Sequence, residues 1–333
     1  MPRDVKFRSL LDLIKVFPTE QSCHQYLAYQ RWEGIVECPY DDCEGDKAYV
    51  FRDGIRYKCT CCKRIYTAKT NTFMEASKLS TIKWIMAIYL VLHKKGVSSV
   101  QLAKDIDTCQ KTAWFVLQRI RTALGNEEEV ELEGKISLDE TFVGGKNKNR
   151  HADKKVKQSQ GRSFKDKTPV MGMLQEQEYQ MIERPHKNDP TKTVIEKVIT
   201  KESRVICKVI KDTKAESLQP IIKQYVKEGS ILVSDEWYAY RGLNAMYDHQ
   251  VVDHGKGQYQ NEAGYSSNSI EGFWSHCKRS IIGIYHKTSR KHLEKYFNEF
   301  TFRYNYRNLG VQDQINMVIS NMKCRLKYKD LIA

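Results

Sequence analysis

Apolar positions change their spacing along the 333-residue chain, and the changes mark its parts. SLLDLIKVFP, ending at Pro18, has the pattern of a short amphipathic helix. Helical spacing returns from Lys78 to Gly125. STIKWIMAIYLVLHKKG (80–96) puts Trp84, Ile85, Ile88, Tyr89 and Leu92 on one face and closes at Gly96. SSVQLAKDI (98–106), capped by Ser98 or Ser99, leads through a tight turn at Asp107–Thr108 into CQKTAWFVLQRIRTALG (109–125). In that helix Ala113, Val116, Leu117, Ile120 and Leu124 form the inward stripe. EEEVELEG (127–134) reads as an acidic, exposed linker, after which the pattern is that of strands. KISLDETFVGG (135–145), RVICKVIK (204–211), SILVSDEW (230–237) and HQVVDH (249–254) read as strands, and TPVMGMLQ with EYQMIER as a hairpin pair. PTKTVIEKVIT (190–200) reads as an inserted helix, and KAESLQPIIKQYVKEG (214–229) and SNSIEGFWSHCKRS (267–280) as helices.

Strand hairpin, helix, strand, strand and helix is the order of a ribonuclease-H-like α/β layer. Within it three acidic residues stand out. Asp139 interrupts an Ile-Ser-Leu…Thr-Phe-Val strand, Asp235 follows Ile-Leu-Val-Ser, and Glu271 lies in a helix with Lys278 two turns later on the same face. Strands aimed at an interior normally carry Val, Ile or Leu, and strand ends are where open sheets place ligand sites. Three carboxylates converging from two strands and a helix can hold a pair of Mg²⁺ ions, the apparatus for in-line attack on a phosphodiester. The plain alternative is a chance trio of solvated groups among 41 acidic residues. Glu140 and Glu236, each beside a chosen Asp, point to the opposite strand face.

Composition adds a partner. The balance of 55 basic against 41 acidic residues gives a net charge of +14, which suits a polyanion such as nucleic acid. No apolar stretch approaches 18 residues and the N-terminus lacks a signal-peptide core, so the expectation is no membrane contact and a cytoplasmic, nucleoid-associated protein. Ten cysteines in such a chain argue for metal or free thiols rather than disulfides. Cys38 and Cys43 form one knuckle and Cys59 and Cys62 the other, around a hairpin turning at Asp53–Gly54. That is the framework of a zinc ribbon with one structural Zn²⁺, in which Cys61 competes with Cys62 as ligand. Cys23 and His24 read as local packing, and Cys109, Cys207, Cys277 and Cys324 as buried thiols. The two helices at 98–125 have a helix-turn-helix layout, whose second helix would meet bases through Gln110, Lys111 and Trp114 and phosphate through Arg119 and Arg121. The basic segment at 144–167 would add phosphate contacts. Trp237, Trp274, Tyr285 and Tyr304 read as core before base-stacking groups. Arg303 and Arg307 would bind DNA or cap the catalytic helix.

The strings KTAWFVLQRIR, LDETFVGGK, SDEWYAY, SNSIEGFWSHCKR and GIYHKTSRKHLEKYFNEFTFRYN, with the cysteine knuckles, resemble zinc-ribbon DDE transposases of bacterial insertion sequences, the branch related to eukaryotic Merlin elements. The resemblance spans roughly residues 20–310. It implies a metal triad of Asp139, Asp235 and Glu271, a following basic residue at Lys278 with Arg279 beside it, zinc on Cys38, Cys43, Cys59 and Cys62, and a supporting Asn268. Ser266 stands where the family commonly has His, and 177–203 is longer than usual. The implied activity is cleavage at transposon ends and joining to target DNA with two Mg²⁺ or Mn²⁺ per site. The implied partners are double-stranded DNA, as terminal inverted repeats and target, and a homodimer or larger synaptic complex. The alternatives are a transposase-derived DNA-binding regulator and a nuclease without strand transfer. The expected domains are helix and ribbon (1–75), helix-turn-helix (76–126), catalytic domain (127–310) and helical tail (311–333).

Overall fold

The structure, a computed structural model, describes residues 6–93, 95–126, 130–144, 151–155, 167–186, 189–235, 238–252 and 264–333. The chain forms two compact units. Met1–Glu128, Gly283–His286 and Tyr306–Ala333 make the first, and Glu129–Ile282 with Lys287–Asn305 the second.

In the first unit, α1 (Leu10–Val16) and α2 (Glu20–Trp32) each begin at a reciprocal cap, Ser9 with Asp12 and Thr19 with Ser22. The strands β1 (Ala48–Val50), β2 (Arg56–Cys59) and β3 (Ile65–Thr67) form a small antiparallel sheet. Its first turn is held by Asp53 Oδ1, which accepts from the Ile55 and Arg56 amides at 2.9 and 3.0 Å. Trp32 packs edge-on against Tyr57 and Tyr66. The helices α3 (Thr81–Leu92), α4 (Ser99–Asp105) and α5 (Gln110–Leu124) follow. Ser98 caps α4, and Asp107 turns the chain with φ +48°, a left-handed conformation that Asp tolerates better than most residues. The expected inward stripe of α5, from Ala113 to Leu124, is buried throughout.

The second unit is built on a five-stranded sheet ordered β10-β9-β4-β5-β8. Its strands are β4 (Lys135–Val143), β5 (Thr168–Gln175), β8 (Arg204–Val209), β9 (Ile231–Ser234) and β10 (Asp248–Val251). β5 runs antiparallel to β4 and β8, while β9 runs parallel to β4 and β10. One face carries Ile136, Leu138, Met171, Met173 and Leu232 against Leu218, Ile222 and Tyr225 of α6 (Ala215–Tyr225) and against Tyr240, Leu243 and Tyr247. Each such buried side chain contributes about 1.5–3 kcal/mol of hydrophobic stabilisation. The other face is covered by α7 (Asn268–Ser280) and α8 (Leu293–Asn305). Among the described residues no helix is long and apolar enough to cross a membrane.

Four expectations need correction. Residues 190–200 are not a helix; they lie in β7 (Asp189–Lys201), paired antiparallel with β6 (Glu178–His186) in a separate two-stranded ribbon. Val194, Ile195, Val198 and Ile199 mimic helical spacing, but the segment is dominated by β-branched residues, which favour strands. TPVMGMLQ does not pair with EYQMIER. From Pro169 to Gln175 every residue of β5 is buried, so this strand takes an interior place in the sheet, with β4 and β8 on either side. The acidic linker is not wholly exposed, because Leu132 is buried and exchanges backbone hydrogen bonds with Tyr225 and Lys227, both at 2.8 Å. The thiols differ among themselves: Cys207 and Cys277 are buried, whereas Cys109 is exposed and Cys324 half-buried. Residues 127–129, 145–150 and 156–166, with most of the basic segment, lie outside the described residues, as do Glu236 and Trp237.

The chain then returns to the first unit through α9 (Val311–Ser320) and α10 (Tyr328–Ile332). This return corrects a fifth expectation. Arg119 and Arg121 are buried, at 5% and 1% exposure, and do not present their charge to solvent. Arg119 Nη2 donates to Glu75 O at 2.7 Å and its Nε to Leu326 O at 3.2 Å, while Arg121 stacks over the Tyr285 ring at 5.0 Å. Replacing Arg119 with Ala leaves two partly buried carbonyls without their donors. The expected loss is about 1–3 kcal/mol of stability, read as a lower denaturant midpoint in the absence of DNA.

Candidate active site and thiolate cluster

β4 and β9 run side by side in the same direction, with Ser137 opposite Val233. Two residues further along each strand direction stand Asp139, midway along β4, and Asp235, just past the end of β9, so both occupy equivalent places on neighbouring chains and point to one face. That is the face on which α7 lies. Glu271 sits in the first turn of α7, where Ser267 Oγ donates to its Oε1 at 3.3 Å. The electrostatics tie the three together. Asp139 is pushed up from 3.8 to about 6, first by burial and further by the negative charges of Asp235 and Glu271. The Glu140 amide, donating to Asp139 Oδ1 at 2.8 Å, opposes the rise. Trp274 Nε1 is buried without a hydrogen bond of ordinary geometry, yet its N–H lies close enough to Asp139 to oppose the rise too.

Lys278 and Arg279 are exposed on α7, and Arg279 Nη2 lies 3.2 Å from His276 Nδ1. Asn268 is the exposed first residue of the same helix. Glu140 faces away from the site, as its place in the strand requires, and accepts a hydrogen bond from the fully buried Tyr240 hydroxyl. Ser234 Oγ meets His249 Nε2 at 2.8 Å. Sequence reasoning passed over Tyr240 and His249. The one available signal was the second tyrosine of SDEWYAY, five residues after Asp235. Trp274 is core, at 3% exposure, and Tyr304 is half-buried with its hydroxyl 3.1 Å from Ser203 Oγ. Arg303 pairs with the buried Glu299 at 2.8 Å, while Arg307 is exposed.

In the first unit the two cysteine knuckles meet. The ligand atoms of Cys38, Cys43, Cys59 and Cys62 all lie within 4.8 Å of one another. Cys38 Sγ is 3.7 Å from Cys62 Sγ, and Cys43 Sγ is 3.7 Å from Cys59 Sγ. A tetrahedron with Zn–S bonds of about 2.3 Å has edges of about 3.8 Å, so the four sulfurs fit Zn²⁺. Cys61 stands outside the set with its thiol exposed, and Cys62 is the member of that pair that joins the cluster. The Cys59 N–H donates to Arg64 O at 3.0 Å, and the Cys38 N–H donates to Gly45 O at 2.8 Å, which folds each knuckle back. A Cβ on Gly45 would fall 2.7 Å from Cys59 Sγ, so only glycine fits there. Arg64 Nε lies 3.3 Å from Cys62 Sγ and lowers that thiol to about 6, whereas burial pushes Cys38 up to about 12. Among the described residues no other set of His, Cys, Asp or Glu is gathered this tightly, so the three carboxylates are more widely spread than the thiols. Their hard oxygen donors and the charge crowding at Asp139 suit a cation such as Mg²⁺ or Mn²⁺.

At the N-terminus of α5, Gln110 and Lys111 are exposed and Trp114 half-buried. Gln110 Nε2 donates to Ser99 Oγ at 2.9 Å, and the Lys111 ammonium lies 5.5 Å from the Tyr328 ring.

The comparisons with known proteins give the chain's family. The family model described as the ISXO2-like transposase domain matches residues 131–305, more than half of the chain, and the protein belongs to that family of insertion-sequence transposases. An uncharacterized protein in transposable element ISH50 of Halobacterium salinarum is 27% identical over 299 residues, covering 87% of this chain and 92% of that one. An uncharacterized transposase-like protein of Haemophilus influenzae is 28% identical over 116 residues, 34% of this chain and 90% of its own.

Two outcomes are expected. Cys59→Ser abolishes the roughly one equivalent of bound zinc per chain, measured by elemental analysis, and unfolds the small sheet. The second concerns pH. The Asp139 carboxyl holds its proton more tightly folded than unfolded, so the folded state binds more protons between pH 3.8 and about 6. Stability without added divalent ions therefore falls as pH rises through that window. Asp139→Asn removes the cost and is expected to raise the melting temperature at pH 7.5 under those conditions.

Proposed function

We propose that the protein is a DNA transposase that cuts phosphodiester bonds at the ends of an insertion sequence and joins the freed 3′-hydroxyls to target DNA. The carrying observation is the matched placement of Asp139 and Asp235 on adjacent parallel strands, with Glu271 near enough to be felt at Asp139. The same sheet order and covering helices support a ribonuclease-H-like catalytic domain.

Asp139, Asp235 and Glu271 would hold the divalent ions, Mg²⁺ or Mn²⁺, two per site. When bound, those ions polarise the scissile phosphate and lower the pKa of the attacking water or hydroxyl. Lys278, exposed two turns beyond Glu271, neutralises phosphate beside the cut, with Arg279 next to it. Asn268, one turn before Glu271, supports the same surface. No covalent bond between protein and DNA is required, because successive hydroxyl nucleophiles do the exchange.

In the first unit, α4 and α5 act as a helix-turn-helix that reads the terminal inverted repeats. Gln110 and Lys111 are exposed where such a helix meets base edges. Arg119 and Arg121 have no part in this reading, since both are buried. The zinc ribbon supplies a second contact to the repeat. Cutting two ends together calls for a homodimer or larger synaptic assembly.

The test is strand cleavage and joining by the purified protein with Mg²⁺ and a labelled duplex bearing the element's own terminal repeat. Wild type is expected to give cleaved and joined products. Glu271→Gln should reduce both to below about 1% of wild type while repeat binding in a mobility-shift assay is retained. Cleavage without joining would make it a nuclease. Tight binding without cleavage, unchanged by the substitution, would make it a DNA-binding regulator. Lys111→Ala is expected to weaken repeat binding by about 1–3 kcal/mol without altering the zinc content.

A further inference from the structure

Asp139 has a direct cross-strand partner in the β4–β5 ladder, and that partner is Gly172. Paired residues share a face, so the bare backbone at 172 lies beside the Asp139 carboxyl, under α7. The space a side chain would occupy there is taken. A Cβ on Gly172 would fall 2.7 Å from Trp274 Cη2, closer still to Trp274 Cζ2, and 3.1 Å from Ile270 Cδ1. The indole cannot easily swing aside. It is 3% exposed, edge-on to the Phe297 ring at 6.1 Å and tilted against Phe273 at 5.1 Å. Filling position 172 therefore lifts the helix rather than turning the ring. Reaching the 3.4 Å of ordinary contact needs about 0.7 Å at Cη2 and about 1 Å at Cζ2, which sets the shift.

The two residues that touch Gly172 flank Glu271 on α7. Ile270 precedes it by one position and Trp274 follows by three, within one turn. Any lift at these contacts carries Glu271 with it, while Asp139 and Asp235 stay with the sheet. Groups that hold a metal pair must be placed to within about 0.5 Å, which is smaller than the shift a single methyl would impose.

We propose that Gly172 and Trp274 are positioning residues: the missing side chain at 172 sets how deeply α7 seats on β5, and with it the gap between Glu271 and the Asp139–Asp235 pair. This rests on the reading of those three carboxylates as the metal site. Neither residue touches the reacting atoms. Their part is to set a spacing.

The test compares wild type, Gly172→Ala, Trp274→Phe and the double variant as full-length zinc-loaded chains. The readouts are Mn²⁺ binding by calorimetry, taken as the part abolished by Glu271→Gln, together with thermal unfolding and binding to the terminal-repeat duplex. Gly172→Ala is expected to weaken Mn²⁺ binding about tenfold or more, with repeat binding unchanged. Trp274→Phe removes the atoms that collide, so the double variant is expected to recover Mn²⁺ binding to within about threefold of Trp274→Phe alone. Mn²⁺ binding by Gly172→Ala equal to wild type overturns the proposal, and so does a loss that the double variant fails to recover. If Gly172→Ala does not fold, the double variant decides: it must fold and bind Mn²⁺, or the proposal falls. Wild type showing no Glu271-dependent Mn²⁺ binding overturns the metal-site reading itself. A wild type that binds normally, with Gly172→Ala equal to it, removes only the positioning role.

Discussion

Like charges held close in a partly dry place are the constraint on which the second unit depends. Asp139 shows it directly, since burial and two neighbouring carboxylates push its titration upward. Such a cluster does not assemble by its own attraction and must be imposed by the surrounding packing. β4 is paired on both sides, to β5 and β9, and so cannot slip without flipping Asp139 to the other face. On that other face, the Tyr240 hydroxyl holds Glu140 and the apolar layer against α6 anchors the strand through Ile136 and Leu138. From above, α7 is pressed down through Trp274 and Ile270.

The first unit meets the same difficulty with sulfur. Its ribbon strands are three or four residues long, too short to be stable on their own hydrophobic faces. Tyr57 and Tyr66 stack, and Trp32 seals one side, but the far end is made of thiols. Four sulfurs gathered this closely are compatible with one structural Zn²⁺, which would supply the cohesion the short strands lack. Both units thus place ligand atoms against their electrostatic preference, the first for architecture and the second, in the reading proposed above, for chemistry.

The sequence disclosed these features unevenly, for physical reasons. Asp139 and Asp235 were legible because a carboxylate in an otherwise apolar strand is costly and conspicuous. The cysteine knuckles were legible because zinc geometry restricts spacing, and only the structure separated Cys62 from Cys61. The inward stripe of α5 could be read from period alone. Arg119 and Arg121 could not, because they are covered by residues such as Leu326 and Tyr285, more than 160 positions away in the chain. β7 was misread because Val-Ile pairs four residues apart satisfy a helical period while their branching favours a strand. The pairing of β5 was missed because local hairpin logic competes with burial on both faces, and burial prevailed. Gly172 was invisible as well, since the meaning of a missing side chain lies in what fills the space.

The first unit is assembled from three separated stretches of chain, and its final contacts come from the last. The Phe73 amide donates to Met322 O, and Arg119 reaches Leu326 O. On a ribosome, synthesis of the sheet that carries the acidic residues finishes before these partners of the N-terminal helices emerge. A nascent chain of some 310 residues would hold every strand of the second unit while the first still lacked its closing segment. The packing of the first unit therefore couples stretches about 200 residues apart, and a chain that has not yet reached Tyr306 lacks part of that packing.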